Sequence, residues 1–187
     1  MSFLPILQFG KELIKNRVKP GDIVVDGTCG NGYDTVFLAE LIGENGKVYG
    51  FDVQEQAIVN TKKRLEEKNL LSRVHCIKEG HETIEKWVKH HVKAALFNLG
   101  YLPGSDKTVV TKGDTTIKAI QALLKLLTDD GIIVLIVYSG HDQGTEAKII
   151  ETFLQSLSQK EFSVMKLKYI NQINFSPYLL AIERKSS

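Results

Sequence analysis

Residues 22–35, DIVVDGTCGNGYDT, decide how the rest of the chain is read. Ile23, Val24 and Val25 form a short apolar run of β-branched residues that reads as a buried strand over 22–27. Gly27, Gly30 and Gly32 then crowd into six positions before helical spacing begins at 33–43. A strand, a glycine-rich turn and a helix in that order form the first half of a βαβ unit. The turn brings backbone N–H groups and a helix N-terminus to the carboxyl end of the strand.

The same alternation continues outward. Residues 47–53, 73–78, 92–99 and 131–139 read as further strands, each bounded by Gly or charged residues. Residues 54–69, 81–90, 113–127 and 144–158 carry apolar side chains at helical spacing between or after them. Strand and helix in alternation imply a parallel sheet with helices on both faces, the Rossmann-like α/β class. Residues 162–170 and 178–184 are two more strands, joined by NQINFSP. That connection is too short for a helical crossover, so these two should pair antiparallel. The expected architecture is a seven-stranded, mostly parallel sheet with an antiparallel C-terminal hairpin. A helix near 6–17, within an N-terminal segment 1–20, should cap one sheet edge or roof a pocket.

Bulk properties agree with one domain over 1–187. The chain has 187 residues, 43% hydrophobic and 25% charged, within the roughly 100–200 residues usual for a domain. No apolar run reaches the about 18 residues of a membrane span, and the first 22 residues lack a secretory pattern. The two cysteines, Cys29 and Cys76, make no disulfide framework and have no zinc-ligand spacing. A reducing cytoplasm and no metal are the expectations. With 24 Lys and Arg against 22 Asp and Glu, the protein does not grip nucleic acid by bulk charge, and an RNA partner is neither required nor excluded.

Ligands of open α/β sheets sit beyond the carboxyl ends of the strands, so the residues after each strand are the candidates. The first turn contributes Asp26, Cys29, Gly30, Asn31, Gly32, Asp34 and Thr35. A dinucleotide fingerprint fails because Thr35 stands where its third glycine should be, and Asp26 would oppose a pyrophosphate. A carboxylate there suits a cation, and S-adenosylmethionine carries an ammonium and a sulfonium for it. Its own carboxylate suits the helix N-terminus. Asp52, after the second strand, can accept from both ribose hydroxyls or cap the helix that follows, with Gln54 beside it. Gly80 and His81 follow the third strand and could flank an adenine; a histidine near a helix start or on the surface is the alternative. Cys29 reads as a small residue in a tight loop, with no base nearby to make it a nucleophile.

The fourth strand ends in FNLGYLPGSDK, residues 97–107, which delivers Asn98 and Tyr101 to the centre of that edge. An Asn carbonyl and a backbone carbonyl can each accept a hydrogen from a target –NH2, turning its lone pair toward a methyl group. Tyr101 could stack on a base, worth about 1–3 kcal/mol. An aliphatic amine of pKa about 10.4 costs on the order of 4–5 kcal/mol to hold neutral at pH 7. Leu99, Leu102 and Pro103 would lower that cost by desolvation, and Asp106 or His141 could take the proton. Leu102, Pro103, Gly104, Lys107 and His141 complete the candidate substrate wall. Asp106 and His141 also read as a turn residue and a helix-start residue.

These motifs together resemble the class I S-adenosylmethionine-dependent methyltransferases. More narrowly, DGTCGNGYDTVFLA, GFDVQ, EGHE, FNLGYLPGSDK, SGHDQGTE and LLAIERK resemble a small bacterial rRNA-methylase family that includes the MnmM-type tRNA methyltransferases. Asn98-x-x-Tyr101 is similar to the Asn-Pro-Pro-Tyr motif of amino-methylating enzymes, with Leu99 and Gly100 in place of both prolines. The resemblance implies methylation of the 5-aminomethyl group of 5-aminomethyl-2-thiouridine at tRNA position 34, with S-adenosylmethionine as methyl donor. It further implies a homodimer whose partner is a tRNA anticodon stem-loop, with no DNA or membrane role. Alternatives are an rRNA or small-molecule N-methyltransferase, or a non-catalytic nucleoside- or RNA-binding module. Gly27 stands where the family often has Ala, and Tyr33 where His is common. Basic surface for RNA could come from Lys11, Lys15, Arg17 and Lys19, from Lys107 and Lys112, or from Lys160, Lys166 and Lys168; scattered lysines also serve as a plain solvated face.

Overall fold

A computed structural model of the protein describes residues 3–99, 113–138, 144–172 and 176–185. Its elements in chain order are α1 (Ile6–Lys15), β1 (Ile23–Asp26), α2 (Tyr33–Leu41), β2 (Lys47–Phe51), α3 (Glu55–Glu67), β3 (Val74–Ile77), α4 (Ile84–Trp87) and β4 (Val92–Leu99). Then follow α5 (Gly113–Leu126), β5 (Leu127–Val137), α6 (Thr145–Gln155), β6 (Phe162–Leu167) and β7 (Tyr178–Arg184). One seven-stranded sheet runs β3-β2-β1-β4-β5-β7-β6. β7 pairs antiparallel with both β5 and β6, which is the expected terminal hairpin. The order reverses beside β1, which lies between β2 and β4. That is where an open α/β sheet leaves a crevice at its strand ends.

The central strands are buried on both faces, so their sequences are apolar almost throughout rather than alternating. β4 divides its side chains by turns: Ala95, Phe97 and Leu99 join one core with α4, α5 and α6, while Ala94 and Leu96 join the other with α1, α2 and α3. Period-two alternation therefore carries Asn98, two residues past Leu96, to the α1/α2 face.

Three expectations change. The helix expected over 81–90 is a single 3-10 turn, His81–Thr83, followed by the four residues of α4. Ile84 and Val88 are buried one turn apart, but the helix ends at Trp87 and Val88 is already extended. The chain must return from the far end of β3 to the start of β4, and extended backbone covers that distance with fewer residues than helix does. Second, β5 begins at Leu127 rather than 131. Leu127 pairs with Val92, and the next pair is Ala94 with Ile132, so Thr128–Gly131 bulge out of the ladder. Third, of the two places expected for α1, the sheet edge is excluded: it lies on a sheet face, and its Lys11 reaches Asp34. Gly10 lets it approach closely: a Cβ there would stand 3.1–3.2 Å from Val134, Ile136 and Leu179 side chains. Ile14 is fully enclosed behind it.

Candidate active site

The turn after β1 is held by two carboxylates from different strands. Asp26 Oδ1 accepts the Thr28 N–H at 3.1 Å, and Asp26 Oδ2 accepts the Thr35 hydroxyl at 2.6 Å. Asp52 Oδ2 accepts the Gly30 N–H at 2.9 Å, and its Oδ1 accepts the Gln54 N–H at 3.0 Å. Gly30 and Gly32 have φ of 53° and 80°, the left-handed region where glycine carries no Cβ penalty. A Cβ on Gly32 would also lie 2.8 Å from the Thr61 backbone. α2 then starts with no side chain capping its N-terminus, so its leading N–H groups are open to an anion.

Burial redefines several expected roles. Asp26 is 1% exposed and both its oxygens bond within the turn, so it organises the loop. Burial, and then the nearby Asp34 charge, raise its pKa from the ordinary 3.8 to about 7. The Cys29 sulfur packs against Gly50, 2.7 Å from where a Cβ would sit. Burial first, and Asp26 next, push this thiol well above its ordinary pKa, so its side chain is inert packing under the loop. Asn31 turns toward α3: its Oδ1 accepts from Asn60 Nδ2 at 2.9 Å and its carbonyl from Arg64 Nε at 2.8 Å. The Arg64 guanidinium lies 3.7 Å from the centroid of the exposed Tyr33 ring.

His81 differs most from expectation. It is buried against the first turn rather than on the surface. Its Nδ1 lies 3.0 Å from the Gly27 carbonyl and its ring meets Phe97 edge-on at 5.5 Å. Burial lowers its pKa, so at pH 7 it is a neutral imidazole whose Nδ1–H donates to Gly27. Nε2 lies 3.4 Å from Thr116 Oγ1, itself 3.5 Å from Glu146 Oε1. His81 thus ties the first turn to α5 and α6. Gly80 precedes it at the start of the 3-10 turn. The Gly27 departure has a physical reason: a Cβ there would fall 2.1 Å from the Phe97 ring.

Asn98 is fixed by two groups. Its backbone N–H donates to Thr28 Oγ1 at 2.7 Å, and its side-chain Nδ2 donates to Asp34 Oδ2. Asp34 Oδ1 in turn lies 2.7 Å from Lys11 Nζ of α1, an ion pair that lacks hydrogen-bond geometry, so Lys11 holds it by charge. The Asn98 Oδ1 is buried and has no partner among the described residues. Tyr138, just past β5, is 40% exposed; burial and then Asp34 raise its phenol pKa. Thr28, Tyr138, Thr116 and Glu146 were not among the sequence candidates, and Lys11 was considered only as basic surface for RNA; nothing local in the sequence marks these contacts.

Tyr101, Leu102, Pro103, Gly104, Asp106, Lys107 and His141 lie outside the described residues. Of the basic positions considered for RNA, Lys11 is committed to Asp34, Arg17 to Glu183 and Lys166 to Glu151. Lys15, Lys19, Lys160 and Lys168 are exposed. Among the described residues no helix is long and apolar enough to cross a membrane, and no group of three His, Cys, Asp or Glu could hold a metal.

A family model described as "Putative rRNA methylase" matches residues 48–183. The chain belongs to this rRNA methylase family. A family structure from Clostridium thermocellum superposes with a TM-score of 0.96 at 46% identity, covering 98% of this chain and 100% of that one. A methyltransferase from Streptococcus mutans, solved in complex with SAH, gives 0.90 at 38% identity, covering 98% and 99%. The chloroplastic tRNA (mnm(5)s(2)U34)-methyltransferase of Arabidopsis thaliana is 34% identical over 166 residues. That match spans 83% of this chain and 61% of the relative's length. The rRNA methylase family thus shares this chain's seven-stranded fold.

Proposed function

We propose that the chain is an S-adenosylmethionine-dependent N-methyltransferase. Its substrate is the 5-aminomethyl group of 5-aminomethyl-2-thiouridine at tRNA position 34, and its product is 5-methylaminomethyl-2-thiouridine. The observation that carries this reading is the buried, unpartnered Asn98 Oδ1 at the end of β4. A buried acceptor without a partner costs about 1–3 kcal/mol, and an N–H of the substrate amine would remove that cost. The tRNA (mnm(5)s(2)U34)-methyltransferase of Arabidopsis supports the choice of nucleoside, and the Streptococcus mutans complex supports the donor.

The residues present fit the donor. Each Asp52 oxygen takes one backbone bond and keeps a lone pair for a ribose hydroxyl. The uncapped start of α2 suits the donor's carboxylate, and the left-handed glycines admit a close approach. S-adenosylmethionine brings a methyl group on a sulfonium, which leaves readily without covalent help from the protein. The protein's task is therefore positioning. Asn98 accepts one amine hydrogen and turns the nitrogen lone pair inward, and Leu102 and Pro103 would exclude water; Leu99, expected to share that task, instead packs into the core on the other face of β4. Tyr101 would stack on the base, and Asp106 or His141 would take the proton released as the secondary amine forms. Partnership with the anticodon stem-loop, a homodimer and a cytoplasmic setting belong to the same proposal.

Purified protein, labelled S-adenosylmethionine and tRNA from cells lacking this protein test it. After digestion and mass spectrometry, a methyl gain on 5-aminomethyl-2-thiouridine is expected. Label on ribosomal RNA or small amines, with none on tRNA, overturns the substrate. Donor binding with no transfer to any of them overturns the catalytic reading.

A further inference from the structure

We propose that Asp34 is a positioning residue for the methyl acceptor, holding the Asn98 amide with its oxygen toward the substrate, and that Lys11 fixes Asp34 in turn. The inference rests on the N-methyltransferase reading and goes beyond it. A primary amide has two nearly isosteric ends, and rotation by half a turn exchanges an acceptor for two donors. If Asn98 presented its NH2 group, it would face the hydrogens of an amine and turn the nitrogen lone pair away from the methyl group.

A carboxylate can only accept. By taking one Nδ2–H, Asp34 fixes which end of the amide faces it, and the opposite end, Oδ1, is the buried atom with no partner. Thr28 Oγ1 pins the backbone of the same residue at 2.7 Å, so neither the position nor the rotation of the amide is free. The bond is charge-assisted, which makes it stronger than a neutral one. Asp34 is itself nearly enclosed, its side chain 11% exposed, and its ion pair with Lys11 at 2.7 Å is part-buried, with Lys11 19% exposed. Asp34 thus touches the residue that touches the substrate. This differs from a role in holding the donor, which its place in the first turn of α2 would suggest.

The test compares Asp34→Asn, Asp34→Asn/Asn98→Asp, Lys11→Met and Asn98→Ala with the parent protein. It measures turnover on tRNA, donor Kd by calorimetry and thermal melting. In Asp34→Asn the new amide can donate to Asn98 Oδ1 and consume the acceptor. The expected result is about a 10²-fold loss of kcat, the scale for one lost transition-state hydrogen bond, with donor Kd changed by less than about threefold, within roughly 0.7 kcal/mol. The double variant restores an acceptor facing outward and a donor behind it, and should recover at least about tenfold over Asp34→Asn, or roughly 1.4 kcal/mol. Lys11→Met should lower kcat severalfold without raising KM. If Asp34→Asn does not fold, Lys11→Met carries the kinetic test alone.

Side-chain NMR gives a readout apart from catalysis: the Asn98 amide protons should be protected from exchange in the parent and lose protection in Asp34→Ala. A donor Kd that weakens in step with kcat, with no recovery in the double variant, makes Asp34 a donor-binding residue and overturns the proposal. Unchanged kcat in Asp34→Asn or in Lys11→Met, or unprotected Asn98 protons in the parent, also overturns it. Asn98→Ala separates the two levels. If it retains full turnover, the N-methyltransferase mechanism itself fails. If it is inactive while Asp34→Asn is fully active, only the positioning role fails.

Discussion

Lys11 Nζ and Asp34 Oδ1, 23 positions apart in sequence, stand 2.7 Å from each other, which joins the first helix to the turn that opens α2. The seating of α1 on the sheet should therefore affect chemistry as well as stability. Gly10 meets Val134, Ile136 and Leu179 with no room for a large side chain. Gly10→Leu should cost about 1–3 kcal/mol by overpacking and lower the methyl-transfer rate through the displaced Lys11. Urea unfolding and single-turnover rates measure both. A variant that loses stability yet transfers methyl at the parent rate would show that α1 does not bear on the site.

Asp52 bridges the ends of β1 and β2 through Gly30 and Gln54. Asp52→Ala leaves two backbone N–H groups without that acceptor and removes the candidate ribose ligand. Donor affinity should fall by at least about tenfold, with a stability loss of about 1–3 kcal/mol. Calorimetry with S-adenosylmethionine and a thermal melt on the same sample measure the two effects. Affinity equal to that of the parent would remove Asp52 from the donor site.

Asp26 should make the protein less stable as pH rises from about 4 to 7. Its folded-state pKa, about 7, lies above the ordinary 3.8, so the folded state holds the proton more tightly than the unfolded state does. That contribution is complete below the ordinary value and is lost by the time pH passes 7. Asp26→Asn has no proton to lose and can still accept from Thr28, so its melting temperature should exceed the parent's by several degrees at pH 8 and converge with it near pH 4. Parallel melting curves across pH 4–8 for the two proteins would contradict this.

Gly27 and Phe97 share one volume. Gly27→Ala places a Cβ where it would be 2.1 Å from the ring, so it should destabilise by about 1–3 kcal/mol. Gly27→Ala/Phe97→Leu should recover part of that loss over Phe97→Leu alone, a coupling read from a double-mutant cycle. Additive effects would mean that the ring moves aside freely.

The sheet and its loops are legible in sequence because their signals are local. Ile23–Val25 is a short apolar run, the glycines mark a backbone that needs positive φ, and NQINFSP is too short to cross a sheet. The site is legible only in part. Asp52 and Asn98 stand out as polar groups at the ends of apolar strands. What each bonds to depends on contacts that skip 22, 64 and 70 positions, and no periodicity encodes them. The same limit explains Asp26, Cys29 and His81: each lies beside the expected crevice, but packing against Thr35, Gly50 and Phe97 turns each side chain into the protein. Helical spacing also overstated the segment after His81, because Ile84 and Val88 repeat at one turn's interval while the chain between strands has a distance to cover.

β7 is the last strand of the sheet in chain order, yet it lies between β5 and β6. During synthesis the half of the sheet from β3 to β5 can assemble as it emerges, whereas β6 has no neighbour to join until Tyr178–Arg184 has been made. A chain in which β7 has not yet docked leaves β5 with an unpaired apolar edge at Ile132 to Val137. The protein is thus most open to mispairing and to chaperone capture in the moments just before β7 docks.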